Sequence, residues 1–407
     1  MDINFQRAVD RLAGVPICAL LSGYDRLRNF LFGGPAQAAS PRRILIILLS
    51  EMGSLVLAHA MFARLKRQYP DAELHVMLFK KNREVLDLLG VVPEANVLTI
   101  DDRTLTQFLP DVWRAIRLTR ALKFDVVIDC ELFTRVSSIF AYLSAAPVRV
   151  GFSRHTQEGL YRGTFINRPV MYNPYRHLSE QFLTMVAAIG SASVPKGKSA
   201  PVSRIERPPQ LVFRDGELEE VASALYADFP AISGKKLVLV YPSGGILPIR
   251  AWPPESYKQL CVNLLADGYA VGLIGMKDDA PLAQEIVAYA QSQYCVDLTG
   301  YTRTVRHLLC VFQYASLLVT NDGGPGQFAA LTRLPTLVFF GPETPALYSP
   351  LTDNIHCLYS SWSCSPCLTA YNHRLSPCDG DNQCLKQITP DQVLRQAREL
   401  LSADNTV

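Results

Sequence analysis

Two doubly wound, Rossmann-like α/β domains in tandem, facing each other across a cleft, are the architecture this sequence predicts. Three observations lead there. Short apolar, β-branched runs alternate with helically spaced segments from residue 43 onward; the alternation stops in a proline-rich stretch at 191–210; and a second alternating series follows it. Strands separated by helices imply a parallel sheet covered on both faces. With 407 residues, 49% hydrophobic and 19% charged, the chain has the length for two such domains and the apolar content to fill both cores.

Residues 1–41 read as an amphipathic N-terminal segment. Pro16 starts a helix in which Leu20, Tyr24, Leu27 and Leu31 share a face while Asp25, Arg28 and Asn29 point away. That helix is either an interfacial anchor on an anionic inner-membrane surface or an element packed on its own domain. The first domain, 42–190, opens with the apolar run Ile44–Leu49, a turn at 50–54, and helical spacing at Leu57, Met61 and Leu65. Further strands are expected at Leu74–Phe79, Asn96–Ile100, Asp125–Asp129 and Val148–Phe152, with helices at Arg114–Leu122 and Arg135–Ser144. Pro195, Pro201, Pro208 and Pro209 mark 191–210 as the linker. In the second domain, 211–388, strands are expected at Leu237–Tyr241, Ala270–Gly275, Leu317–Thr320 and Thr336–Phe340. A last helix fills 389–407. Thr389 and Gln392 make its capping box, Pro390 takes its first position, and Val393, Leu394, Ala397, Leu400 and Leu401 form one apolar face.

Charge narrows the function classes. The formal net charge is +3, and residues 1–43, with six arginines against three aspartates, carry that whole surplus. So even a balance offers no general field for a phosphate polymer, which argues against nucleic acid as a partner. No apolar run reaches the 18 residues a spanning helix needs, and the start has neither the basic region nor the cleavage site of a signal peptide. The expected location is the cytoplasm, with peripheral membrane attachment left open. Cys18, Cys130, Cys261, Cys295 and Cys310 sit singly in apolar contexts and read as buried thiols.

In doubly wound sheets ligands sit beyond the carboxyl ends of the strands, which directs attention to the loops at 50–54, 242–250, 275–279 and 321–327. Asn321-Asp322-Gly323-Gly324-Pro325-Gly326-Gln327 follows a strand and precedes a small-residue helix start. It is either a cradle for a diphosphate or a tight glycine turn without a ligand. Tyr241-Pro242-Ser243-Gly244-Gly245 likewise ends a strand in small residues, and Arg250 beyond it offers a planar fork to phosphate oxygens, whereas Trp252 and Pro253 read as packing. The first βα loop has one glycine where a dinucleotide fingerprint needs three, which disfavours an NAD-dependent oxidoreductase. Within loop 362–384, Cys364, Cys367, Cys378 and Cys384 stand with Trp362, Pro366 and His373 in or beside them. They offer four thiolates to a structural zinc or iron; paired disulfides and free thiols are the alternatives.

Taken in order, these loops, Trp252-Pro253-Pro254-Glu255, Leu334-Pro335, Phe340-Gly341-Pro342-Glu343-Thr344-Pro345 and the earlier Leu49-Ser50-Glu51-Met52-Gly53 resemble glycosyltransferase family 9. These are the bacterial heptosyltransferases of lipopolysaccharide core assembly and their relatives, and the resemblance covers most of residues 42–400. It implies a glycosyltransferase-B fold, a nucleotide-sugar donor, with ADP-heptose the best known, on the C-terminal domain, and a glycolipid or glycan acceptor on the N-terminal domain. Transfer would be inverting, without a catalytic metal. By the same resemblance Ser243 and Gly244 belong to the donor-diphosphate loop, Arg250 faces phosphate, and Asp322, Gly323 and Gly324 close over the donor. Cysteine-rich loops like 362–384 occur in some members, which would make a metal there structural.

Two positions depart from the family pattern. Gln327 stands where a histidine is usual, and its amide can still donate a hydrogen bond but brings no charge. Ser54 stands where the family has an aspartate, its presumed general base. Inversion requires deprotonating the acceptor hydroxyl as it attacks, usually by a carboxylate or histidine within hydrogen-bond reach. Glu51, three residues earlier, is the substitute candidate, against its reading as a solvated loop acid or cap; His59 stands behind it, against its reading as a helix residue without chemistry. The expected function is an inverting glycosyltransferase extending lipopolysaccharide core or a similar surface glycan. Ser54 and Gln327 motivate the alternative, a catalytically impaired donor-binding or scaffolding homologue.

Overall fold

The computed structural model describes residues 3–33, 40–132, 134–153, 161–198, 200, 205–360, 362–372, 374–376, 378 and 381–403. The chain divides into two compact units, Met1–Glu206 with Ala370–His373, and Arg207–Thr369 with Arg374–Val407. His373, one of the residues singled out beside the cysteines, lies outside the described residues.

The first unit runs α1 (Ile3–Leu12), α2 (Gly14–Phe32), β1 (Arg43–Ile47), α3 (Met52–Leu57), α4 (His59–Gln68), β2 (Glu73–Phe79), α5 (Arg83–Leu89), β3 (Val97–Ile100), α6 (Leu105–Leu122), β4 (Val126–Asp129), α7 (Arg135–Leu143), β5 (Val148–Phe152), β6 (Arg168–Val170) and α8 (Leu178–Ala188). Its strands pair in parallel in the order β3-β2-β1-β4-β5-β6. Ile44, Ile46, Val126 and Ile128 are fully buried, as expected of central strands covered by helices on both faces.

The second unit continues with α9 (Glu217–Asp228), β7 (Leu237–Tyr241), α10 (Pro254–Ala266), β8 (Ala270–Gly275), α11 (Ala280–Ala290), β9 (Cys295–Thr299), α12 (Val305–Phe312), β10 (Ala315–Asn321), α13 (Gly324–Ala329), β11 (Thr336–Phe340), α14 (Pro345–Tyr348), β12 (Ile355–Tyr359), α15 (Gln383–Lys386) and α16 (Pro390–Ala403). Its order, β12-β11-β10-β7-β8-β9, repeats the winding of the first unit, again all parallel. In both units the first strand is central and pairs with the second and the fourth. The strand order therefore reverses between β1 and β4 in one unit and between β7 and β10 in the other, and that is where doubly wound sheets open a ligand crevice.

Three strands escaped the sequence reading, β6, β9 and β12, and each is the edge of its sheet. Edge strands have one neighbour and partial exposure, so Cys295–Thr299 and Ile355–Tyr359 carry polar residues that break the apolar run. Near the C-terminus, Thr389 Oγ1 accepts from the Gln392 N–H at 3.3 Å, and Val393, Ala397 and Leu401 of α16 are buried in the core with Trp252 and Leu385.

The N-terminal pair of helices is arranged differently from expectation. The helix begins at Gly14 rather than Pro16, and Gly14 is needed there because a Cβ would stand 2.9 Å from Arg135 Cβ. Asp25, expected to point outward, is buried with Cys18 and Ser22, and pairs with Arg149 Nη2 at 3.3 Å. Asp10 is also engaged: it accepts from the N–H groups of Arg135 and Val136 at 2.8 and 3.0 Å and so caps α7. The opposite face of α2 leaves Leu20, Tyr24, Leu27 and Leu31 exposed, at 75%, 63%, 57% and 60%. Among the described residues no helix is long and apolar enough to cross a membrane.

Candidate active site

In the first unit the turn after β1 is held from both flanking strands. Glu131, just beyond β4, accepts the Leu49 and Ser50 N–H groups on Oε1 at 2.6 and 2.9 Å, and the Ser50 hydroxyl on Oε2 at 2.8 Å. Asn82, just beyond β2, donates to the Leu49 carbonyl at 2.6 Å. Glu51 follows directly, in extended conformation at the N-terminus of α3. Ser54 on the first turn of that helix donates its hydroxyl to Glu51 Oε2 at 2.6 Å. The serine that replaces the expected aspartate is thus a hydrogen-bond donor to the neighbouring carboxylate. That geometry makes Ser54 an orienting group for Glu51 rather than a proton acceptor.

His59 does not join them. It starts α4 after a break at Ala58, its proton affinity is lowered by burial, and the charged groups that bear on it are Glu206 and Lys66. Glu131 is the residue the sequence reading missed. It is buried, and burial, followed by the charge of Glu51, pushes its carboxyl up to about 7. A single acid after an apolar strand carries no periodicity that announces such a role; the signal available was its place two residues past the end of β4.

In the second unit Asn321, the last residue of β10, ties the two loops together. Its Nδ2 donates to the Ser243 carbonyl at 3.0 Å, and its Oδ1 accepts from the Trp252 N–H at 3.0 Å and the Tyr257 hydroxyl at 2.8 Å. Ser243 Oγ accepts from the Gly245 N–H at 3.0 Å. Gly244 is fixed by space: a Cβ would fall 2.5 Å from the Leu247 carbonyl oxygen. A Cβ on Gly323 would meet the Asn321 carbonyl oxygen at 3.9 Å, an ordinary contact, and Gly324 begins the six-residue α13. Trp252 and Pro253 pack the start of α10, with Trp252 Nε1 bonded to the Ile388 carbonyl at 2.8 Å.

Arg250 and Gln327, the two side chains expected to reach phosphate, both have partners within this unit. Arg250 Nη1 lies 3.6 Å from Asp322 and 3.5 Å from Glu343, and its side chain is largely buried. Arg374 completes the group, 3.1 Å from Glu343. Burial, then the charge of Glu343, drives the Asp322 carboxyl well above its ordinary range, while Arg374 and Arg250 hold Glu343 below its own against the opposing effect of burial. The two carboxyls are thus pushed in opposite directions, with Glu343 lying between two guanidinium groups. Gln327 was expected to donate to phosphate; it is buried and donates to the Tyr348 carbonyl at 2.7 Å, so the replacement serves packing.

Cys18, Cys130, Cys261, Cys295 and Cys310 are buried free thiols. Cys384 is buried, Cys367 half-buried, and Cys364 and Cys378 exposed, and among the described residues no three His, Cys, Asp or Glu side chains are grouped to hold a metal ion. Burial first, then the charges of Cys367, Cys364 and Cys378, push the Cys384 thiol up to about 11.

With this geometry in place, comparison with known proteins identifies the family. Residues 112–375 match the model of glycosyltransferase family 9 (heptosyltransferase). The chain belongs to glycosyltransferase family 9. This family-9 enzyme is 25% identical over 370 residues to lipopolysaccharide heptosyltransferase 2 of Salmonella typhimurium, covering 89% of this chain and 99% of that protein. Its fold matches the solved ADP-heptose lipopolysaccharide heptosyltransferase II of E. coli with a TM-score of 0.67 at 22% identity, over 89% of this chain and all of that one. A more distant solved structure is the iron-containing dodecameric glycosyltransferase TibC of enterotoxigenic E. coli H10407, with TM-score 0.50 and 14% identity over 90% of this chain and 80% of that one. The glycosyltransferase-B fold and the glycosyltransferase activity follow from family and architecture together.

Proposed function

We propose that this family-9 glycosyltransferase transfers heptose from ADP-heptose, with inversion, to lipopolysaccharide core or a similar surface glycan, using Glu51 as general base. The observation that carries the reading is the 2.6 Å hydrogen bond from Ser54 Oγ to Glu51 Oε2. It supplies a carboxylate, in a fixed orientation, at the switch point of the first sheet, where the family's own carboxylate is missing. In the reaction the acceptor hydroxyl oxygen bonds to the anomeric carbon as the bond from that carbon to the diphosphate oxygen breaks. ADP leaves with the electron pair, and the hydroxyl proton passes to Glu51. The second unit binds the donor through the Ser243–Gly244 loop and the Asp322–Gly324 loop, with no metal in the chemistry. The relatives' names support this choice of sugar and acceptor.

The test is ADP release from ADP-heptose with heptose-deficient lipopolysaccharide as acceptor. Glu51→Gln is expected to lose about 10²–10⁴-fold in turnover with donor affinity retained. Ser54→Asp tests the same pair from the other side: it replaces a donor to Glu51 with a second anion, and activity falls if Glu51 is the base. Full turnover in Glu51→Gln removes Glu51 from the chemistry. No turnover in the wild type with any donor and acceptor pair favours the donor-binding homologue.

Two further readings accompany this one. Loop 362–384 holds one structural iron or zinc on Cys364, Cys367, Cys378 and Cys384: four cysteine thiols in one loop suit such an ion in kind and number, and the iron-containing TibC has a similar fold. Elemental analysis of never-chelated protein is expected to find about one metal per chain, lost on Cys364→Ser; protein free of iron and zinc as purified overturns it. We also read the exposed face of α2 as resting on an anionic lipid surface, with the enzyme working in the cytoplasm at the membrane that carries its acceptor; the exposure of Leu20, Tyr24, Leu27 and Leu31 supports this.

A further inference from the structure

We propose that Glu131 is a positioning residue for Glu51, a buried carboxylate that clamps the turn after β1 and so sets where the base stands. The inference rests on the reading of Glu51 as base and goes one layer beneath it. One carboxylate oxygen receives two successive backbone N–H groups, Leu49 at 2.6 Å and Ser50 at 2.9 Å, and the other receives the Ser50 hydroxyl at 2.8 Å. Accepting from consecutive amides fixes the orientation of both peptide planes, and the peptide that follows leads into Glu51. The Leu49 carbonyl is held as well, by Asn82 Nδ2 at 2.6 Å and the Phe79 N–H at 3.2 Å. Loops from the two strands flanking β1 thus grip a single turn.

Glu131 is itself held. Its N–H donates to Asp129 Oδ1 at 3.2 Å. The other oxygen of Asp129 takes the fully buried Arg162, whose guanidinium also donates to the carbonyls of Phe152 at 2.8 Å and Thr134 at 2.7 Å. A chain of contacts therefore runs from β5 and the start of α7 through Arg162, Asp129 and Glu131 to Ser50 and Glu51. Because its side chain is buried and both its oxygens already accept from the turn, Glu131 is not presented to an acceptor hydroxyl, and it acts through Glu51. The charge of Glu51 is felt at Glu131, where it is the second cause, after burial, of the raised proton affinity.

Two conservative variants separate reach from charge. Glu131→Gln keeps an oxygen for both N–H groups and gains an amide that donates to Ser50 Oγ, so the clamp survives without the charge. Glu131→Asp keeps the charge and shortens the reach by one methylene, so the clamp is lost. With ADP release as the assay, Glu131→Asp is expected to lower kcat about tenfold or more, since sub-ångström displacement of a base is costly. Glu131→Gln should stay within about threefold of wild type, and ADP affinity should be unchanged in both. In the Glu51→Gln background, Glu131→Asp should cost nothing further, because the group it positions is gone. Wild-type kcat in Glu131→Asp, a Gln variant as poor as the Asp variant, or losses that multiply in the double variant overturn the positioning role while leaving Glu51 as base. Full turnover in Glu51→Gln itself overturns both.

Discussion

Arg250 stands between two acids, and its removal acts on more than ligand binding. Without it, Asp322 and Glu343 share one guanidinium, Arg374, in a buried space. Arg250→Ala is therefore expected to destabilise the second unit by about 1–3 kcal/mol, the cost of leaving a buried charged group under-satisfied, as well as to weaken ADP binding by about 1.5–3 kcal/mol. Chemical denaturation checks the first and calorimetric titration with ADP the second; adding Glu343→Gln should restore part of the stability but not the binding. Full stability in Arg250→Ala would show that the two acids adjust by sharing a proton. Glu131 gives a second expectation at this scale. Its carboxyl is raised to about 7 in the fold from an ordinary 4.5, mainly by burial. Between those values the unfolded chain has released a proton that the folded chain keeps, so stability falls as pH rises through the window. The total is roughly 3 kcal/mol. Glu131→Gln has no such proton, and the stability difference between it and wild type, read by circular dichroism in urea from pH 4 to pH 8, should change by that amount. A pH-independent difference would mean Glu131 titrates normally.

At the scale of elements, α2 divides its two faces sharply. One packs Cys18, Ser22 and Asp25 inward; the other exposes Leu20, Tyr24, Leu27 and Leu31, and Phe30 and Phe32 are exposed near its end. Both acids of α1 and α2 within the described side chains are paired with arginines of the same unit, Asp10 with Arg135 and Asp25 with Arg149, while Arg11, Arg26 and Arg28 are exposed. An apolar stripe flanked by cations suits an anionic bilayer surface. The protein should sediment with vesicles containing phosphatidylglycerol and much less with phosphatidylcholine alone. Leu20→Ser with Leu27→Ser should reduce the bound fraction about tenfold or more, because each leucine contributes of the order of 1.5 kcal/mol on burial. Binding that ignores lipid charge, or self-association that the same pair of substitutions abolishes, would assign the stripe to a second copy of the chain instead.

Over the whole molecule, the sequence carried the central strands and both crossing points well, because a parallel strand covered on two faces must be apolar almost throughout. Leu237–Tyr241 and Thr336–Phe340 could be placed to the residue for that reason. Edge strands such as Cys295–Thr299 lack that constraint and left no run to find. Of the two candidate sites, the loops were legible and their internal bonds were not. Motif order located Glu51, Ser243, Arg250 and Asp322, yet what each touches depends on side chains far away in the chain, such as Glu131, Glu343 and Arg374. Asp25 illustrates the same limit: helical spacing alone puts it outside, and only Arg149, 124 positions later, turns it inward.

The three tryptophans are unevenly placed. Trp252 is buried between Tyr257 and Phe339, with ring centroids 5.0 and 4.9 Å away, in the second unit. Trp113, on α6 of the first unit, is already 61% exposed, and Trp362 is 40% exposed. Unfolding alters the surroundings of Trp252 far more than those of the other two, so intrinsic emission reports the loss of the second unit and is nearly silent about the first. A single smooth fluorescence transition in this protein would therefore be no sign that both halves of the chain unfold together.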